Sequence, residues 1–268
     1  MTASVVGSLG IVQGPGGLGS DPGVQVAQTY LVGSPDQPPT VPAAIDDEFI
    51  SNALAAKWTW RNQTPTGAGN PTASASFDKI TNLTLAIGAL NVGSGNTSIF
   101  SLIGQPIASL PTQPWAVTSK LAFGIPLWLA ATPGTAINGQ VGIALYESAT
   151  GKVLVFGPDQ SNGIGCNFGT ALNNPTVTNS FPIPGTAVGY IGYLGPGMYL
   201  RVSQNATTLF FWVSWTGKSW TLVTSFALNL HFTTAPDTIG LGWSQRSTGA
   251  PLALVCDWFR DTTALLAP

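Results

Sequence analysis

Charged side chains are nearly absent from this chain, which carries 9 Lys and Arg and 11 Asp and Glu among 268 residues. That is 7%, against roughly 25% in ordinary globular proteins. The cations occur singly from Lys57 to Arg260, and the formal net charge is −2. Nucleic-acid binding is excluded on this ground, because neutralising a phosphate backbone needs clustered Lys and Arg. Attraction to anionic membrane surfaces is excluded for the same reason. Cysteine and histidine are equally scarce: Cys166, Cys256 and His231 are the full set. They form no Cys/His cluster, so no zinc site, other metal or cofactor is expected. The two cysteines are read either as a disulfide or as two free thiols.

Long hydrophobic runs are lacking as well. The longest, Leu121 to Ala131, is broken by Gly124 and Pro126 and is too short to span a bilayer. Membrane insertion is therefore not expected. Met1 to Ala27 holds neither a Lys or Arg nor a continuous apolar stretch, and does not read as a secretory signal peptide. The Asn-x-Ser/Thr triplets at Asn62, Asn82, Asn96 and Asn205 are read as chance in a chain rich in these residues.

What the chain does have is 32 Gly, 21 Pro and 44% apolar residues, with 9 Trp, 12 Phe and 5 Tyr. Gly and Pro at that density leave little room for long helices, and the aromatics demand burial. Residues 1–44 stand apart as a Gly/Pro-rich leader, with one strand expected over Val24–Val32. The leader is either disordered or an extended arm lying along a neighbouring subunit. In the second case Ile11, Val24, Val26, Tyr30 and Leu31 are the residues it buries. Residues 45–268 read as one all-β domain.

Strand-length runs rich in Val, Ile, Thr and aromatics fall at Phe77–Leu90, Thr97–Ile103, Trp115–Phe123, Val141–Tyr146 and Lys152–Phe156. They continue at Met198–Val202, Thr207–Trp215, Trp220–Val223, Thr238–Trp243 and Leu252–Phe259. Ten or more strands without intervening helices predict an antiparallel β-sandwich or barrel. A short helical turn is expected at Asn52–Ala56, and a loop-rich stretch around Asn167–Gly197. Thr207–Val223 reads as a hairpin turning at Gly217. Within it Leu209, Phe211 and Val213 form one strand face and Phe210, Trp212 and Ser214 the other. Both faces are apolar, so this strand is either central or covered on its outer face by another chain.

Two segments bracket the domain: Asp46-Asp47-Glu48-Phe49 with Lys57-Trp58-Thr59-Trp60, and Cys256-Asp257-Trp258-Phe259-Arg260. Together with Tyr199–Val202, the Thr216–Trp220 turn and Ile239–Gly242, they resemble the concanavalin A-like jelly-roll domains, in particular the accessory domains of β-xylosidases. The resemblance covers about residues 46–261. It implies an antiparallel jelly roll whose first and last strands meet. One departure is Thr216, where the family often has Asp before the turn glycine.

Glycosidases of that architecture resemble one another in a Glu-x-Asp-x-x-Glu strand, whose carboxylates lie about 5–5.5 Å apart in retaining enzymes. Only Glu48 and Glu147 are present here, in no such motif. Asp46, Asp47 and Glu48 read as a turn or cap rather than as a metal site. There is no Gly-x-Ser-x-Gly elbow, and Gly14-Pro15-Gly16-Gly17 lacks the Lys of a phosphate loop. His231 reads as structural. The chain is therefore expected not to be an enzyme. Aromatic rings suited to stacking on sugars remain: Trp115, Trp128, Trp212, Trp215, Trp220 and Trp243, with Trp115, Trp128, Trp215 and Trp243 put forward as a carbohydrate site. Low charge, the leader and the missing motifs point to a virion structural protein of a bacteriophage (capsid decoration, head-fibre or tail-associated). It is expected to form a homo-oligomer, to assemble with other virion proteins through its arm and to bind host-surface glycans weakly. The alternatives are an extracellular carbohydrate-binding module of non-viral origin and a glycoside hydrolase.

Overall fold

The computed structural model describes residues 36–51, 53–62, 77–81, 84–89, 99–123, 139–159, 163–173, 177–184, 197–245 and 252–266. The chain divides into two units, Met1–Val41 and Pro42–Pro268. Ile11, Val24, Val26, Tyr30, Leu31 and the strand expected at Val24–Val32 lie outside the described residues.

Fourteen strands are present among the described residues. They are β1 Thr59–Arg61, β2 Phe77–Thr81, β3 Thr84–Ala89, β4 Ile99–Pro106, β5 Trp115–Phe123, β6 Gly139–Tyr146 and β7 Val153–Asp159. The rest are β8 Gly163–Gly169, β9 Val177–Pro184, β10 Met198–Gln204, β11 Thr208–Ser214, β12 Thr221–Ala227, β13 Thr238–Gln245 and β14 Leu252–Asp261. They form two seven-stranded sheets. Sheet A runs β1-β4-β13-β6-β7-β8-β9 and sheet B runs β12-β11-β10-β5-β14-β3-β2. Every pairing is antiparallel, and distant strands such as β4 with β13 and β5 with β14 lie side by side. The architecture is the jelly-roll β-sandwich that the bracketing segments led us to expect.

Alternation along the strands places the core. Leu200 and Val202 of β10, Val117 and Leu121 of β5, and Leu209, Phe211 and Val213 of β11 turn inward from sheet B. They meet Ile143, Leu145, Phe156, Ile164, Leu241 and Trp243 of sheet A. Phe156 and Phe211 touch across the two sheets with ring centroids 5.1 Å apart. Sheet A is strongly coiled. Asn167 Nδ2 on β8 donates to Ser244 Oγ on β13 at 2.8 Å, although β7 and β6 lie between them. In a flat sheet those strands would be roughly 14 Å apart. The concavity holds a second apolar cluster of Phe100, Leu102, Ala144, Val153 and Val155, with Leu172 packed against it.

The bracketing segments meet as a clasp. Asp47 and Phe259 exchange backbone hydrogen bonds of 2.8 and 2.9 Å. Trp58 Nε1 donates to Asp47 Oδ2 at 2.7 Å, and Asp46 Oδ1 accepts from the Asp261 N–H. Arg260 grips Glu48 through Nε and a terminal nitrogen at 2.6 and 2.7 Å.

Three expectations need correction. No helical turn forms over 53–56; the segment bends, and Leu54 and Ala55 pack on the core instead. The stretch taken as loop-rich contains the end of β8 and the whole of β9, which pair from Gly163–Pro184 to Gly169–Val177. Phe77–Leu90 is not one strand but the β2–β3 hairpin. Cys166 and Cys256 are free and buried, and burial pushes both thiols up.

Candidate carbohydrate-binding face

Of the four tryptophans put forward as a sugar site, two are corrected by burial. Trp115 is 2% exposed and Trp243 1% exposed, both inside the core between the sheets. A ring with no accessible face cannot stack on a pyranose. Trp128 lies outside the described residues. Trp215 is 48% exposed. It opens the turn between β11 and β12, in which Ser214 Oγ accepts the Thr216 and Gly217 N–H groups. Thr216 Oγ1 in turn accepts the N–H groups of Lys218 and Ser219. Gly217 sits at φ 71°, a conformation that favours glycine. Local hydrogen bonding, rather than the indole, thus holds this turn.

The outer face of sheet B gathers the other aromatics. Register places Leu222, Trp212, Arg201, Thr118 and Arg260 opposite one another across β12, β11, β10, β5 and β14. Trp212 is half-buried, and its Nε1 donates to Ser203 Oγ at 3.1 Å. Phe210 stacks beside it at 6.4 Å. Trp220 folds back from the end of the turn so that the Arg201 guanidinium carbon stands 3.9 Å from its ring centroid. The strand β11 is therefore not central in sheet B, and within this chain its outer face is only partly covered. It is next to the edge strand β12, and its outer aromatics are partly open.

Arg201 was not a candidate in the sequence. It is buried within the face, its Nε donating to Thr118 Oγ1 at 2.9 Å. Among the described residues no carboxylate pairs with it. Burial pulls its guanidinium down to about 10, so it stays charged at neutral pH. Arg260, two strands away, offers the comparison. It lies 4.1 Å over the Trp258 ring and is held by Glu48.

The remaining polar groups hold loops. Burial pushes Glu147 up, but hydrogen bonds from Thr150, Thr233 and Thr234 outweigh it and hold the carboxyl at about 2. It ties the β6–β7 turn to the segment before β13. His231 Nε2 lies 3.0 Å from Val153 O, with its ring against Phe168 and Phe232. Burial lowers its pKa. No group of three His, Cys, Asp or Glu suited to a metal occurs among the described residues.

No protein-family model matches the chain, and no curated protein sequence matches it. Solved structures do. One is a functionally unknown protein from Saccharomyces cerevisiae, 13% identical over 78% of this chain and 97% of that one, with a TM-score of 0.46. Another is the catalytic domain of an endo-1,3-β-glucanase (laminarinase) from Thermotoga petrophila, 10% identical over 82% and 96%, TM-score 0.47. A third is a GH43 protein from Bacillus licheniformis, 15% identical over 82% of this chain, TM-score 0.47. The chain spans only 39% of that protein's length. Identities and scores this low say nothing of substrate or residues. The expectation of a non-enzyme is nonetheless withdrawn, because the matching structures include GH16 and GH43 glycoside hydrolases. The strand order itself shows an antiparallel jelly-roll β-sandwich of two seven-stranded sheets.

Proposed function

We propose that the sandwich recognises a glycan on the outer face of β10–β12. The observation that supports this reading is Trp212 and Trp220 beside Arg201, with Trp215 exposed in the adjoining β11–β12 turn, all at least partly open to solvent where Trp115 and Trp243 are sealed. Indoles offer flat apolar faces to the C–H side of a sugar ring, while a guanidinium and hydroxyls bind its oxygens. Few anchors on an open face give weak, avidity-dependent binding. Display on a larger particle such as a virion fits that need, with the extracellular surface as the other setting. Low charge and the leader of residues 1–44 motivate the assembly half of the proposal, the leader engaging neighbouring virion subunits. Light scattering on the full chain and on a variant lacking residues 1–44 tests it. Identical monomers would refute it.

The glycan half is tested by electrophoresis in gels cast with soluble polysaccharides, with release of reducing ends followed in parallel. Retardation by at least one polysaccharide is expected, weakened roughly five- to tenfold by Trp215→Ala, the effect of about 1–1.4 kcal/mol of lost stacking. No retardation in any gel, or retardation indifferent to Trp215→Ala, refutes it. Reducing ends released in the same samples would favour the glycoside-hydrolase reading instead.

A further inference from the structure

Two arginines occupy the outer face of sheet B on either side of Thr118, and they are treated differently. Arg201 and Arg260 both stand opposite Thr118 in the strand register. Each guanidinium lies over an indole, at 3.9 Å from Trp220 and 4.1 Å from Trp258. Arg260 carries a carboxylate, Glu48, on its Nε and one terminal nitrogen. Arg201 spends its Nε on a neutral hydroxyl, Thr118 Oγ1. Its terminal nitrogens make no hydrogen bond within the described residues. Nor are they among the sealed, unpartnered polar atoms, which are Gln140 Oε1, Gln204 Nε2 and Trp243 Nε1. They therefore face solvent from a largely buried side chain.

Withdrawing a cation from water without a counter-charge is unfavourable. A stack on Trp220 offsets part of that cost. The planar fork of a guanidinium is shaped for two oxygens of one carboxylate, as Glu48 demonstrates on Arg260. Lys218, at the tip of the turn that carries Trp215 and Trp220, adds a second cation, this one exposed, without a carboxylate partner among the described residues. In a chain with so few charges, two uncompensated cations at the aromatic face set the sign of its ligand.

We infer that this face takes a glycan bearing a carboxylate, a uronic-acid sugar, whose carboxylate caps Arg201 while its ring lies against the neighbouring indoles. The inference rests on the glycan reading above and narrows it to one chemical class.

The test keeps the protein intact and changes the ligand. Binding of the full chain is measured to alginate, polygalacturonate and hyaluronan, to the carboxyl-reduced form of each, and to neutral xylan, β-glucan and galactan. A uronic-acid polymer is expected to bind and to weaken on the order of tenfold or more when its carboxyls are reduced, since charge-assisted hydrogen bonds are lost. Arg201→Gln should erase the difference between a polymer and its reduced form, and Arg201→Lys should keep part of it. Equal binding of intact and reduced polymers overturns the inference and leaves the glycan reading standing, as does binding to neutral polymers alone. Undiminished discrimination in Arg201→Gln overturns the assignment to Arg201. Failure of every polymer to bind refutes the glycan reading and this inference together.

Discussion

Replacing Trp243 and Trp215 by alanine separates the core from the candidate site, and the two changes should behave oppositely. Trp243 is 1% exposed on β13, in the layer between the sheets. Truncating a sealed tryptophan removes its transfer energy and leaves a cavity, at a cost of about 3–5 kcal/mol. In a domain of this size about 2–4 °C of Tm accompanies each kcal/mol, so Trp243→Ala should melt roughly 6–20 °C lower. Trp215 is 48% exposed, in a turn held by the Ser214 and Thr216 hydroxyls. Its removal should change stability by no more than about 0.5 kcal/mol, which keeps Tm within about 2 °C. Glycan binding should follow the reverse order, weakened roughly five- to tenfold in Trp215→Ala and kept in Trp243→Ala at temperatures where that variant is folded. Differential scanning fluorimetry and gel retardation on the same preparations measure both. The division fails if Trp215→Ala melts as low as Trp243→Ala, or if folded Trp243→Ala loses binding while Trp215→Ala retains it.

Two further predictions concern the frame. A Cβ on Gly240 would lie 2.0 Å from Ile103 O and 2.5 Å from the Gly104 Cα, so β13 and β4 must part in Gly240→Ala. About 2–3 kcal/mol and a Tm lower by roughly 4–12 °C are expected, and an unchanged Tm would show that the coiled sheet yields more readily than its contacts imply. The Glu147 carboxyl is held at about 2, against an ordinary value of 4.5. Because its folded pKa is depressed, it contributes stability in full above the ordinary value and loses it as pH falls through about 2. The Tm gap between the wild type and Glu147→Gln should therefore be widest above pH 5 and close toward pH 2, and a gap that widens in acid would contradict the assignment of its hydrogen bonds.

Much of the sandwich is legible in the chain because alternation and turn chemistry agree. Trp115–Phe123 is strand β5 to the residue, and the hairpin at Gly217 forms where glycine supplies the positive φ. The clasp between Asp46–Phe49 and Cys256–Arg260 follows from their content of acids, aromatics and one arginine. What alternation hides is β8 and β9. Gly163, Gly165 and Gly169 in one and Pro182 and Pro184 in the other read as breaks. In the folded chain, Gly169 gives room to the Phe100 ring, which would lie 2.6 Å from its Cβ. The coiling that demands this space is a property of the whole sheet. The site was half legible for a related reason. Sequence names the tryptophans but not which are sealed, since Trp243 falls inside β13 and Trp215 just past the end of β11, a boundary that alternation does not fix. Arg201 carried one usable signal. The turn at Asn205–Thr207 sets β10 against β11 so that Arg201 faces Trp212, which would have placed a cation among the outer indoles.

The aromatic face is the centre of this account, and the indole N–H signals of the nine tryptophans test it most directly. Titrating the labelled full chain with a polysaccharide that retards it should shift the signals of Trp212, Trp215 and Trp220 and leave those of Trp58, Trp115 and Trp243 in place. Shifts confined to other tryptophans, or none at saturating glycan, would contradict the assignment of this face as the binding site.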